Sequence, residues 1–98
     1  MHSTRMVAAA AMVLTSTAIA SAADAPPGAS SCSGCHPAAR SVDTTVPRLA
    51  GRDAAQLVTA MQDFKSGKRP STVMDRIAKG FTDDETKAIA TWYAAQKD

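Results

Sequence analysis

Cys32-Ser33-Gly34-Cys35-His36 is the stretch on which the reading of this chain turns. Two thiols three positions apart, on one helical or tight turn, can reach the two vinyl groups of a single porphyrin. They form thioethers there, and the adjacent imidazole is held beneath the iron. Ser33 and Gly34 are small and let the backbone lie close to a flat ring. A thioredoxin-like redox site would need a strand-helix-strand neighbourhood, and nothing in the chain alternates as a strand does. A zinc site would need a second pair of ligands. A disulfide between Cys32 and Cys35 would close too small a loop to stabilise much.

The chain has 98 residues and opens on a segment with export character. Arg5 supplies a positive start, Met6 to Ala20 is an apolar run rich in alanine, and Ala20-Ser21-Ala22 offers small residues to a signal peptidase. The pattern predicts a secretory signal over residues 1–22, cleaved after Ala22 or one residue later, and a periplasmic destination. The run is too short for a stable transmembrane helix, so no membrane insertion of the mature chain is expected. Residues 23–98 then form one small domain. Domains of this size are marginal without a staple, and a covalently attached porphyrin can itself become the core. Aromatic residues are few: Phe64, Phe81, Trp92 and Tyr93. Eleven Lys and Arg stand against nine Asp and Glu, and loss of the leader removes Arg5. So balanced a charge argues against nucleic acid as a partner.

Outward from the cysteine pair, Ala23 to Ser30 contains Asp24, Pro26, Pro27 and Gly28 and reads as an extended or disordered lead-in. A short helix is expected from Ser30 or Ser31, with a serine as N-cap, carrying the cysteines and ending at Pro37. Ala38 to Val46 is a loop. Asp53 to Lys65 has helical periodicity, with Leu57, Met61 and Phe64 inward beside Ala54 and Val58, and Gln56, Gln62, Asp63 and Lys65 outward. Gly67 suits a C-cap. Ser71 to Lys79 predicts a short helix with Val73, Met74, Ile77 and Ala78 inward. Thr82-Asp83-Asp84-Glu85 is a capping box opening a last helix to about Gln96, with Ala88, Ile89, Trp92 and Tyr93 on one face. The fold class is all-α, with three or four helices.

Once the leader is gone, His36 is the one histidine left to serve as an axial ligand. The sixth position falls to methionine, lysine, water or nothing. Of the five methionines, Met61 and Met74 lie beyond the leader. Met61 sits in an apolar stripe, where methionine usually packs. Met74 follows a Gly/Pro-containing loop and is the favoured ligand, because a His/Met pair is the usual electron-transfer arrangement. Lys65, Lys68, Arg69, Arg76 and Lys79 form either a docking face or, interleaved with Asp63 and Asp75, a solvated surface.

Taken together, Cys32 to His36, Pro47-Arg48-Leu49-Ala50-Gly51, Met74 and a last helix with Trp92-Tyr93 resemble a class I cytochrome c. The resemblance implies a small fold wrapped around one covalent haem c. It implies haem-iron ligation by His36 and Met74, and a Pro47 carbonyl accepting a hydrogen bond from the other ring nitrogen of His36. It also implies that the first and last helices cross. More narrowly, residues 64–85 are similar to the haem-bearing subunit of flavocytochrome c sulfide dehydrogenase, in a single-haem version. That likeness implies a non-catalytic electron-accepting subunit with an FAD-containing flavoprotein as partner. The alternative is a free shuttle between other electron-transfer proteins, and a ligand sensor comes into view only if Met74 does not bind. Many relatives have glycine where this chain has Pro37, and the two-haem relatives carry a second attachment motif that this chain lacks.

Overall fold

The chain turns into its first helix through glycine. Ala29 donates its N–H to the Pro26 carbonyl at 3.1 Å, and Gly28 takes the left-handed conformation, φ 88°. In this computed structural model, which describes residues 10–13, 24–39 and 41–97, four helices follow in order. They are α1 (Ala29–Cys32), α2 (Ala54–Ser66), α3 (Met74–Ala78) and α4 (Asp83–Ala95). There is no strand among the described residues, and the all-α expectation holds. The expected leader, apart from residues 10–13, lies outside the described residues.

The start of α1 differs from expectation. Gly28, not a serine, is the N-cap, and no side chain caps this end. The serines act in the opposite sense: the Ser31 hydroxyl donates to the Gly28 carbonyl (2.6 Å) and the Ser33 hydroxyl to the Ser30 carbonyl (2.7 Å). A hydroxyl can bond backward onto its own turn as readily as forward, and here the Pro-Pro-Gly turn already sets the entry angle. The lead-in is correspondingly ordered at Gly28. A Cβ at that position would stand 2.5 Å from Phe81 Cε1, so the backbone lies against the ring. The helix stops at Cys32, and Ser33 to Cys35 form a turn.

α2 follows its sequence closely. Asp53 caps it by accepting from the Gln56 N–H at 3.0 Å, and Gly67, at φ 78°, ends it with its N–H on the Phe64 carbonyl. Leu57, Met61 and Phe64 are half-buried. So are Asp63 and Lys65, which the periodicity places outside. Lys65 lies 3.7 Å from Asp83, across to the start of α4, and the Asp63 carbonyl accepts from Arg69 N–H.

α3 is shorter than expected and turns differently. Val73 is its N-cap, with no side-chain cap bond, and Ser71 Oγ, two residues earlier, accepts from Asp75 N–H at 3.0 Å. Ala78 is fully buried, while Val73 is 52% and Ile77 41% exposed. The inward placement of Val73 and Ile77 is thus corrected: a helix of five residues has one inward position to offer. Along α4 the buried positions are Thr86, Ile89, Ala90 and Tyr93, spaced i, i+3, i+4, i+7. Ala88 falls off that stripe and is exposed, a second correction.

The core gathers where α1 meets α4. Ala29, Ile89 and Tyr93 are buried together, with Cys32, Leu49, Leu57, Phe81 and Trp92 packed around them. The Trp92 and Tyr93 rings meet edge to face, 4.9 Å between centroids and 83° between planes. The core reading of both aromatics therefore holds.

Two predictions follow from these helix ends. In the capping box of α4, Thr82 Oγ1 accepts from Glu85 N–H (3.1 Å) and Glu85 accepts from Thr82 N–H (3.0 Å). Thr82→Ala should lower stability by about 1 kcal/mol in denaturant titrations. The Thr82 bonds hold the Glu85 carboxyl below its ordinary pKa. The box thus contributes fully above the ordinary glutamate range and fades as pH falls through the lowered value, an acid limb that Glu85→Gln, which removes the titrating carboxyl, should flatten. Gly28→Ala meets both the left-handed backbone and the Phe81 ring. It should cost roughly 1–3 kcal/mol, read as a fall in thermal midpoint.

Candidate haem site

α1 and the turn after it carry the reactive side chains. Cys32 is half-buried and Cys35 exposed, and both are free thiols. The Cys32 sulfur lies 3.8 Å from the Gly28 carbonyl. Burial, opposed by weaker hydrogen bonds, pushes its thiol pKa up, so it stays protonated at neutral pH. His36 is tied to the end of α1 because its N–H donates to the Cys32 carbonyl at 2.8 Å. Cys35 N–H donates to the same carbonyl, which draws both thiols and the imidazole onto one turn.

The imidazole is oriented from outside the motif. His36 Nδ1 stands 2.5 Å from the Pro47 carbonyl oxygen. A carbonyl can only accept, so Nδ1 carries a proton, and of the two ring nitrogens Nε2 is the one left to bind a metal. Histidine ligates metals through such a nitrogen, and a carbonyl partner on the other nitrogen fixes the ring and raises its basicity. The segment that brings Pro47 here is itself anchored. Arg48 Nε donates to the Ala38 carbonyl (3.0 Å). Gly51, in the left-handed region at φ 73°, donates its N–H to the Tyr93 carbonyl at 3.0 Å.

The residues present fit a haem on three counts. The paired thiols have the required spacing, and the His36 ring is held through Nδ1 with Nε2 left free of that bond. Val73 and Ile77 leave an exposed apolar surface beside half-buried Met74. Among the described residues no group of three or more His, Cys, Asp or Glu is placed to hold a metal ion, and the zinc alternative gains no support.

The sequence-predicted site residues are brought together unequally. Cys32, Cys35 and His36 share one turn, and Pro47 meets His36 directly. Met74 opens α3, which packs on α2. It is joined to the cluster containing Cys32 through Leu57 of that helix and through Phe81 just after α3. Met61 is half-buried on α2, as its packing reading predicts. The basic residues divide: Lys68, Arg69, Arg76 and Lys79 are exposed, whereas Lys65 is half-buried. The Arg69 guanidinium lies over the Phe64 ring, 5.1 Å from its centroid.

One residue of the site was missed by sequence reasoning in any role beyond packing. The Tyr93 hydroxyl donates to the Ala29 carbonyl at 2.5 Å, buried, across 64 residues of chain. Burial, and next the neighbouring Cys32, push its phenol pKa up, so it remains a neutral donor. No local pattern announces a bond between residues so far apart in the chain.

No family model matches the chain. Among curated proteins it is 41% identical over 63 residues to the cytochrome subunit of sulfide dehydrogenase from Chlorobaculum tepidum, covering 64% of this chain and 57% of that one. It is 37% identical to the thiosulfate dehydrogenase electron acceptor of Thiomonas intermedia, over 70% of this chain and 34% of the relative. With cytochrome c4 of Pseudomonas aeruginosa it shares 34% identity, over 67% of this chain and 33% of the relative. The chain thus spans just over half the length of the first of these and about a third of the others. Four helices without a strand among the described residues, a Cys-x-x-Cys-His turn with an oriented imidazole, and relatives of this kind make the chain similar to the c-type cytochromes.

Proposed function

We propose that the chain is an exported monohaem c-type cytochrome, and the electron-accepting subunit of a flavin-dependent sulfide dehydrogenase. The observation that carries the haem reading is the His36 Nδ1 bond to the Pro47 carbonyl. It presents an oriented imidazole, Nε2 outward from the bond, next to two correctly spaced thiols. A haem held there supplies a one-electron couple between ferric and ferrous iron. Cys32 and Cys35 would hold the porphyrin by thioethers, and His36 and Met74 would supply a nitrogen and a sulfur to the iron. The Pro47 carbonyl keeps the His36 ring from rotating and makes Nε2 a better donor. The thioether of Met74 is a soft ligand that favours the reduced state and raises the potential. Val73 and Ile77 cover apolar surface and keep water away. The protein makes and breaks no substrate bonds of its own.

The sulfide dehydrogenase reading draws on the Chlorobaculum relative and on the likeness over residues 64–85. The partner is then an FAD-containing flavoprotein that passes electrons singly. A second reading, a free shuttle, is favoured by exposed Lys68, Arg76 and Lys79, cations that could steer a soluble partner. Both readings place the protein in the periplasm after removal of residues 1–22. No helix among the described residues is long and apolar enough to cross a membrane.

Gentle isolation of the tagged protein from its own cells, followed by an absorption spectrum, separates the readings. Covalent haem with stoichiometric flavin is expected; haem alone on a monomer would favour the shuttle, and no covalent haem would overturn both. Met74→Ala should lower the reduction potential and admit carbon monoxide to the iron. An unchanged potential and no carbon monoxide binding would remove Met74 from the ligand set.

A further inference from the structure

Two segments must be held at a fixed separation for His36 to meet Pro47, and both end on one residue. On one side, Ala29 lies in α1, three residues before Cys32, and Cys32 accepts the His36 N–H. On the other, Gly51, in the left-handed region, closes the segment that begins at Pro47, and its N–H points to α4. Tyr93 receives both. Its hydroxyl donates to the buried Ala29 carbonyl, and its own carbonyl accepts from Gly51 N–H at 3.0 Å. Arg48 Nε, donating to the Ala38 carbonyl, spans neighbouring parts of the same segments from the surface.

We propose that Tyr93 is the positioning residue for the axial histidine: it holds α1 by its hydroxyl and the Pro47 segment by its backbone, and so fixes the bond between them. This rests on the reading of His36 as the haem ligand. Side chain and main chain of a single helical residue then form a rigid bracket, whose far ends are His36 and Pro47. Its hydroxyl half is separable from its backbone half, since removing the oxygen leaves the Gly51 bond in place. With the hydroxyl gone, α1 is free to move relative to residues 47–51, and the His36 Nδ1 bond lengthens.

The full chain carries one tyrosine, which makes the test specific. Wild type, Tyr93→Phe and Thr82→Ala are compared in the haem-loaded protein, reading solvent exchange of the His36 Nδ1 proton by NMR and the iron–histidine stretch by resonance Raman. Thr82→Ala weakens α4 without touching either bond of Tyr93, and so reports what lost stability alone does. In Tyr93→Phe the Nδ1 proton should exchange roughly tenfold faster and the stretch should fall, while Gly51 amide exchange stays within about twofold of wild type. Wild-type exchange and stretch in Tyr93→Phe, or an equal change in Thr82→Ala, would overturn the proposal. Incorporating 3-fluorotyrosine, a stronger donor that keeps the ring, should slow Nδ1 exchange below wild type at mildly acidic pH. That second arm decides the matter if Tyr93→Phe does not fold. A wild-type protein without haem would refute the haem reading alone, and the exchange comparison would then be made on the haem-free chain.

Discussion

The crossing of α1 and α4 is the constraint on which the rest of the molecule depends. Ala29 and Tyr93 meet there with a buried hydrogen bond between them, and closing a loop of 64 residues costs entropy that local helix formation cannot offset. The offset comes from burial, and little is on hand. Among the described residues no large side chain is fully buried, and the cluster at the crossing is built from one isoleucine, one tyrosine and an alanine. Gly28 lets the approach be close enough for that small set to work, because Phe81 occupies the space a Cβ would need.

From the crossing, order passes outward by hydrogen bonds rather than by bulk packing. α1 carries the cysteine turn, the turn carries His36, and the Pro47 carbonyl orients its ring. The Pro47 segment returns to α4 through Gly51. The circuit is closed, so each bond is buttressed by the next, and the imidazole is oriented by a carbonyl outside its own turn. Such preorganisation of a ligand by its outer partners is what lets a protein tune an iron centre. The other side of the site is built differently. α3 commits a single alanine to the core and leaves Val73 and Ile77 exposed, an apolar surface suited to lie against a flat ring.

Much of this was legible in local sequence, and the reason is that the signals concerned are short-range. The Cys32 to His36 turn, the Thr82 cap and the Gly67 stop each depend on atoms within a few residues, and each is formed as read. The N-cap of α1 was misread because serine hydroxyls bond in either direction, and the turn at Pro26 to Gly28 decided which. The faces of α3 and α4 were misassigned at Val73, Ile77 and Ala88 because periodicity names a stripe without saying which part of it meets a neighbour.

By itself, then, the sequence determined the chemistry on offer and the secondary structure that carries it: two thiols and an imidazole on one turn, helices with their caps, and an all-α class. It also carried the likeness to c-type cytochromes. The likeness also implied the bond from His36 to the Pro47 carbonyl, and the tertiary structure identified the donating nitrogen as Nδ1, across eleven residues of chain. Only it revealed Tyr93 as the point where α1 and the Pro47 segment are joined. Bonds between distant segments are set by how helices pack, and helix packing is a property of the whole chain rather than of any window in it.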